Sequence, residues 1–131
     1  PEINETIEAR MRQIVAGISS AHGVNAEVHY DTLFPSVINT TAPVIAAQCA
    51  ASAIVGSAGV DADCEPKLFS EDFAHMAATR PGCFVLMGNG TQGENANPLH
   101  ASNYDFNDEA LSFGSSFWVQ LVEQELSGSI E

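Results

Sequence analysis

Apolar and polar positions recur along this chain with two different periods. Ile7, Met11, Ile14, Val15 and Ile18 follow at spacings of four, three, one and three, a single stripe along a helix. Glu5, Glu8, Arg12 and Gln13 take the other faces. Asn4 is placed to cap this helix, Glu5 and Glu8 suit its positive end, and Gly23 after His22 is suited to stop it. The period then becomes two. Val24, Ala26, Val28 and Tyr30 alternate with Asn25, Glu27 and His29, which predicts a strand with one buried face. Leu33-Phe34-Pro35 breaks the strand and Val37-Ile38-Asn39 resumes it briefly. A helix followed by one strand is half of an α+β sandwich, and that strand has no pairing partner in sight.

The pattern changes again near Asn39 to Pro43, where we place a domain boundary. Thr40-Thr41-Ala42-Pro43 opens a second helix, with Pro43 in its first turn. Its body, Val44 to Val55, is built of small and aliphatic residues that allow close packing against a sheet, and Gly56-Ser57-Ala58-Gly59 ends it. Ser70 is placed to cap a third helix, with Glu71 and Asp72 in its first turn and Phe73, Met76 and Ala77 on its apolar face. Cys83-Phe84-Val85-Leu86-Met87 has no polar alternation, which predicts a central strand covered on both faces, as in α/β sheets. A loop of about twenty residues from Gly88 to Asn107 follows, and loops of that length are usually functional. The last helix is predicted from Asp108 to Leu126. The fold class read from these elements is α/β.

Composition narrows the function classes. The chain has 131 residues, 45% apolar and 16% charged, with a net charge of -13 from four basic and seventeen acidic residues. That balance disfavours nucleic acid and anionic membranes, both of which need Lys and Arg. No apolar run approaches the ~20 residues of a membrane span. The chain opens at Pro1 without Met and without a basic-then-apolar leader, which fits a cut or incomplete chain and equally a processed terminus. Cys49, Cys64 and Cys83 are spaced by 15 and 19, which is neither a zinc ribbon nor a CxxC pair. An odd count with apolar neighbours points to buried free thiols in a reducing compartment, hence the cytoplasm.

Candidate chemistry is concentrated in the second half. Gly88, Gly90 and Gly93 fit a GxGxxG pattern, but Glu94-Asn95-Ala96-Asn97-Pro98 is a poor helix start, so a tight turn is favoured over a dinucleotide site. His22 and His29 read as surface residues, and His75 sits four positions after Glu71 on a predicted helix face. There is no HExxH motif, and Ser70 lies outside any GxSxG elbow. His100, on the long loop ahead of a helix, is the best ligand candidate. A catalytic metal site needs about three protein ligands, so one His is not enough.

Three segments in order carry a family resemblance: Phe69-Ser70-Glu71-Asp72-Phe73-Ala74-His75, Arg80 to Gly88, and Leu99-His100-Ala101-Ser102-Asn103-Tyr104-Asp105-Phe106. Together they resemble the C-terminal third of the two-metal amidohydrolases that include hippurate hydrolases, N-acyl amino acid aminoacylases and related zinc carboxypeptidases. The resemblance implies that residues 1–40 are the last helix and strand of a ferredoxin-like lid domain that often dimerises. It implies that residues 41–131 are the C-terminal part of an α/β metallopeptidase-type catalytic domain. His100 then matches the last metal ligand. Ser70, Glu71 and Asp72 match a segment lining the substrate pocket, and Asn39 sits at the hinge near the substrate. Two divalent metal ions are implied, zinc first, with manganese, cobalt or nickel as alternatives. Substrates would be N-acyl amino acids or peptide-like amides.

The family's other ligands and its general-base Glu lie upstream of the matched region, and this sequence has no Glu-Glu dipeptide. No catalytic residue is therefore assigned within the chain, which alone is expected to be inactive. It would need the N-terminal part of the same protein as partner, with a homodimer formed through the lid. The rival reading is a non-catalytic fragment or degenerate homologue that serves as an assembly module.

Overall fold

The computed structural model describes residues 2–127, and of Glu94 only the backbone. The end of the 41–131 assignment, residues 128–131, lies outside the described residues. The chain forms two compact units that divide between Ser36 and Val37.

In the first unit, α1 spans Glu2–His22 with Glu2 and Glu5 in its first turn and His22 in its last, each favourable to the helix dipole. Asn4 lies inside this helix and does not cap it. Its side chain instead donates to Thr32 Oγ1 at 2.8 Å and accepts from the Tyr30 hydroxyl at 2.5 Å. Gly23 takes φ 64, and the Val24 N–H reaches back to the Ser19 carbonyl at 3.1 Å. That bond and the left-handed glycine form a Schellman ending, which a side chain at position 23 would strain.

The predicted strand at 24–30 is not formed, because no neighbouring backbone pairs with it among the described residues. The segment is fastened to α1 by side chains. Arg12 pairs with Glu8 at 2.7 Å and also donates to the Val28 carbonyl at 2.9 Å. Asn4, Glu8, Val15 and Ser19 are the half-buried positions of α1, so it is largely the polar side that carries the returning segment. Most of the predicted apolar stripe stays exposed, with Ile14 60% and Ile18 57% accessible. A stripe of this kind needs a sheet face to cover it, and none forms among the described residues of the unit.

In the second unit, α2 spans Thr41–Val55 and packs against α4, Ala110–Ser127. The Gln124 side chain donates to the Ala46 carbonyl at 3.2 Å across this contact. The buried side chains among the described residues are Ala47, Ala50, Ala74 and Ala110, and no large side chain is fully buried. Small residues let the two helix backbones approach closely, and they also bury little area. Thr40 adopts extended backbone at the α2 N-cap without a side-chain cap bond. α4 begins two residues later than predicted, because the Asn107 side chain accepts the Glu109 N–H at 3.1 Å in a local turn.

The predicted strand at 83–87 likewise has no ladder, and Val85, Leu86 and Met87 are exposed rather than covered on both faces. It has the start of a pairing. Thr40 N–H donates to the Gly82 carbonyl at 2.9 Å, and Gly82 N–H donates back to Thr40 Oγ1 at 3.3 Å. The third helix, α3, is only Phe73–Ala77, with Asp72 rather than Ser70 at its N-cap. The loop from Gly88 to Asn107 contains a 3₁₀ turn at Gly93–Ala96 where a nucleotide motif would need an α-helix. Cys49 and Cys64 are exposed and only Cys83 is half-buried, against the expectation of three buried thiols. No helix among the described residues is long and apolar enough to cross a membrane.

Candidate functional site

Of the site residues proposed from the sequence, Asn39 and the Ser70-Glu71-Asp72 segment are organised around Phe84, and His100 is not. The Asn39 carboxamide pairs with both backbone groups of Phe84: its Nδ2 donates to the carbonyl at 3.0 Å and its Oδ1 accepts the N–H at 2.8 Å. A side chain here supplies what a neighbouring strand would otherwise supply. Phe69 and Phe73 both rest on the Phe84 ring, with centroids 6.4 and 5.6 Å away. These two rings flank Ser70-Glu71-Asp72 and hold that segment at the start of α3. The backbone closes it further, since Ala74 N–H donates to the Glu71 carbonyl at 3.1 Å and His75 N–H to the Asp72 carbonyl at 3.0 Å. Ser70 and Asp72 are exposed and Glu71 is half-buried. Asn39 and residues 70–72, distant in sequence, are therefore linked through one aromatic residue.

His100 sits at the tip of the long loop. Ala101 N–H donates to the Pro98 carbonyl at 3.1 Å, which closes a tight turn with His100 as its third residue. There His100 has φ 71, the one positive φ of a non-glycine among the described residues. Turns place Gly or Asn at that position, since a Cβ there clashes with the backbone. The imidazole is exposed, and the turn is closed at its base by Asn97, whose Nδ2 donates to the Asn103 carbonyl at 2.9 Å. Residues in strained conformations concentrate at functional sites.

An imidazole of this kind is a good zinc donor, yet a catalytic zinc takes three protein ligands and an open position. No group of three or more His, Cys, Asp or Glu side chains comes together among the described residues. The donor set of the described residues therefore does not by itself fit a catalytic metal. His22 is exposed at the end of α1, His29 is exposed beside Glu27 at 3.6 Å, and His75 is exposed on α3. Burial pushes the Cys83 thiol above its ordinary range, which suppresses the thiolate. A cavity of about 470 Å³ between α2 and α4 and another of about 400 Å³ in the first unit are lined by none of Asn39, Ser70, Glu71, Asp72 or His100. The larger is nonetheless lined by Cys83 and Val85, the residues on either side of Phe84.

Sequence reasoning missed Asn89. The sequence places it in a glycine-rich turn, whereas its carboxamide bonds the backbone at Asn95, Asp105 and Asn107. The available signal was the density of asparagine in this loop, at positions 89, 95, 97, 103 and 107.

The chain is 25% identical over 121 residues to the hippurate hydrolase of Campylobacter jejuni, covering 92% of this chain and 30% of that protein. It is 29% identical over 110 residues to the putative amidohydrolase YhaA of Bacillus subtilis, covering 83% and 28%. It is 29% identical over 113 residues to the uncharacterized hydrolase y4tI of Sinorhizobium fredii, covering 85% and 27%. The chain thus spans less than a third of the length of these relatives. No solved structure matches it. The model of the peptidase family M20/M25/M40 matches residues 3–124, nearly the whole chain with both units, and the chain belongs to that family.

Proposed function

We propose that the protein carrying this chain is a metal-dependent amidohydrolase that cleaves the amide bond of N-acyl amino acids. The observation that carries this reading is His100, held with left-handed backbone at the tip of a clamped loop in a chain of family M20/M25/M40. The hippurate hydrolase among the relatives supports the substrate class, since hippurate is an N-acylated glycine. In this reading His100 is one ligand of two divalent metal ions, zinc first and manganese, cobalt or nickel as alternatives. When bound, such ions acidify water and polarise a carbonyl. Asn39, Ser70, Glu71 and Asp72 line the substrate pocket. Asn39 does so while fixing Phe84, and the Phe69 and Phe73 rings fix the polar segment between them.

The remaining ligands and the general base belong to other parts of the protein. Residues 1–40 are then the end of a ferredoxin-like lid and residues 41–131 the end of an α/β catalytic domain, in a cytoplasmic homodimer joined through the lid. A second reading, an assembly module, is favoured by the exposed stripe of α1.

The test is His100→Ala in the intact protein. We expect kcat/KM on an N-acyl amino acid to fall by more than the ~10–100-fold typical of a residue one step removed from the metal. Metal content by elemental analysis should fall with it, and His22→Ala should change neither. Full metal content with unchanged turnover would overturn the assignment.

A further inference from the structure

The loop bearing His100 is held by side-chain amides in two nested layers. The inner layer is the Asn97 bond to the Asn103 carbonyl, which closes the tip. The outer layer is Asn89. Its Nδ2 donates to the carbonyls of Asn95 at 3.1 Å and Asp105 at 2.8 Å, and its Oδ1 accepts the Asn107 N–H at 2.8 Å. Both amide hydrogens and one of the two lone pairs are thereby used. One carboxamide joins the exit of the 83–87 segment to both feet of the loop.

The adjoining residue is shaped for this contact. Gly90 has φ 139, and a Cβ there would lie 3.0 Å from the Asn95 Cβ. The foot of the loop therefore lies directly on bare backbone. Only an amide of this length both donates twice and accepts. Aspartate keeps the acceptor and loses both donors, and alanine leaves three backbone groups without their partner.

We propose that Asn89 is a positioning residue for His100. A left-handed non-glycine persists only where its surroundings over-determine it. The two asparagine layers supply that constraint, because they fix residues 95, 97, 103, 105 and 107 on either side of the turn. With the outer layer removed, the turn relaxes toward negative φ and the imidazole swings away from its direction. The functional importance of this rests on the reading of His100 given above, while the conformational claim does not.

The experiment uses the full chain with its four histidines labelled with ¹³C at Cε1. His100→Ala identifies the His100 resonance. Asn89→Ala should shift and broaden that resonance while those of His22 and His29 hold. Exchange of the Asn107 amide should accelerate on the order of tenfold, as a lost hydrogen bond opens the loop. If Asn89→Ala does not fold, Asn89→Asp carries the test. It should keep Asn107 protected and still disturb His100. A His100 resonance unchanged in both variants would overturn the proposal. So would a common displacement of all four resonances, which would mark Asn89 as a general stabiliser. Turnover of the intact protein with His100→Ala separates the two claims. If it persists, the proposed function falls, while the response of His100 to Asn89 still decides the positioning role.

Discussion

His100 offers a direct test of whether a strained backbone is kept for a functional side chain. The perturbation is a pair of substitutions, His100→Gly and His100→Ala. The imidazole is exposed, so removing it forfeits little burial, and the same amount in both variants. The two differ by a Cβ at φ 71. Left-handed backbone costs an L-residue about 1–2 kcal/mol, and alanine keeps that cost. Glycine removes it, but carries about 0.5–1 kcal/mol of additional chain entropy in the unfolded state. The difference leaves glycine ahead of alanine by about 1 kcal/mol, or roughly fivefold in the folded-to-unfolded ratio.

The assay is urea unfolding followed by helical circular dichroism. With a slope of about 2 kcal/mol/M, the midpoints should differ by about 0.5 M with equal slopes. Glycine should also match or exceed the natural histidine in stability, while both variants lose activity in the intact protein. Alanine as stable as glycine would refute the left-handed turn. A glycine variant with full activity would show that the strain serves nothing at this position.

Other outcomes follow from the same contacts. Asn39→Ala removes both bonds to Phe84 and should destabilise the second unit by about 1–2 kcal/mol, whereas Asn39→Asp should keep the bond to the Phe84 N–H and lose less; denaturation midpoints check this. Cys49 and Cys64 should react with a maleimide well before Cys83 at pH 8, because burial raises the Cys83 pKa and keeps that thiol protonated; mass spectrometry of timed samples reads the order. The 131-residue chain by itself should neither hydrolyse N-acyl amino acids nor retain stoichiometric zinc after dialysis, since the described residues bring no three ligands together; turnover and elemental analysis decide it.

The helices were legible because their signals are local. Gly23 ends α1 through a positive φ, and Pro43 sits in the first turn of α2. The start of α4 was read to within two residues, with Asn107 as the local cap. Family membership was legible for a related reason, since the spacing of Leu99-His100 and Tyr104-Asp105-Phe106 is a property of the chain alone. The proposal of His100 as a ligand and of residues 70–72 as pocket lining rests on the same spacing.

The strands were misread because a strand is not a local object. Residues 24–30 and 83–87 have the right alternation and apolar character, but a ladder needs a neighbour to receive its N–H and C=O groups. Ser70 was misread as a cap because the Phe69 and Phe73 contacts with Phe84 fix where the first turn begins. Sequence by itself determined where the chain turns, where it coils into helices and which family it belongs to. Tertiary structure decided that Asn39 substitutes for a strand at Phe84, and that Asn89 gathers residues 95, 105 and 107 of the loop that carries His100. Such contacts join residues separated by up to 45 positions. No local window contains the longest of them, because closing so long a loop is favourable only when the rest of the fold has brought its ends together.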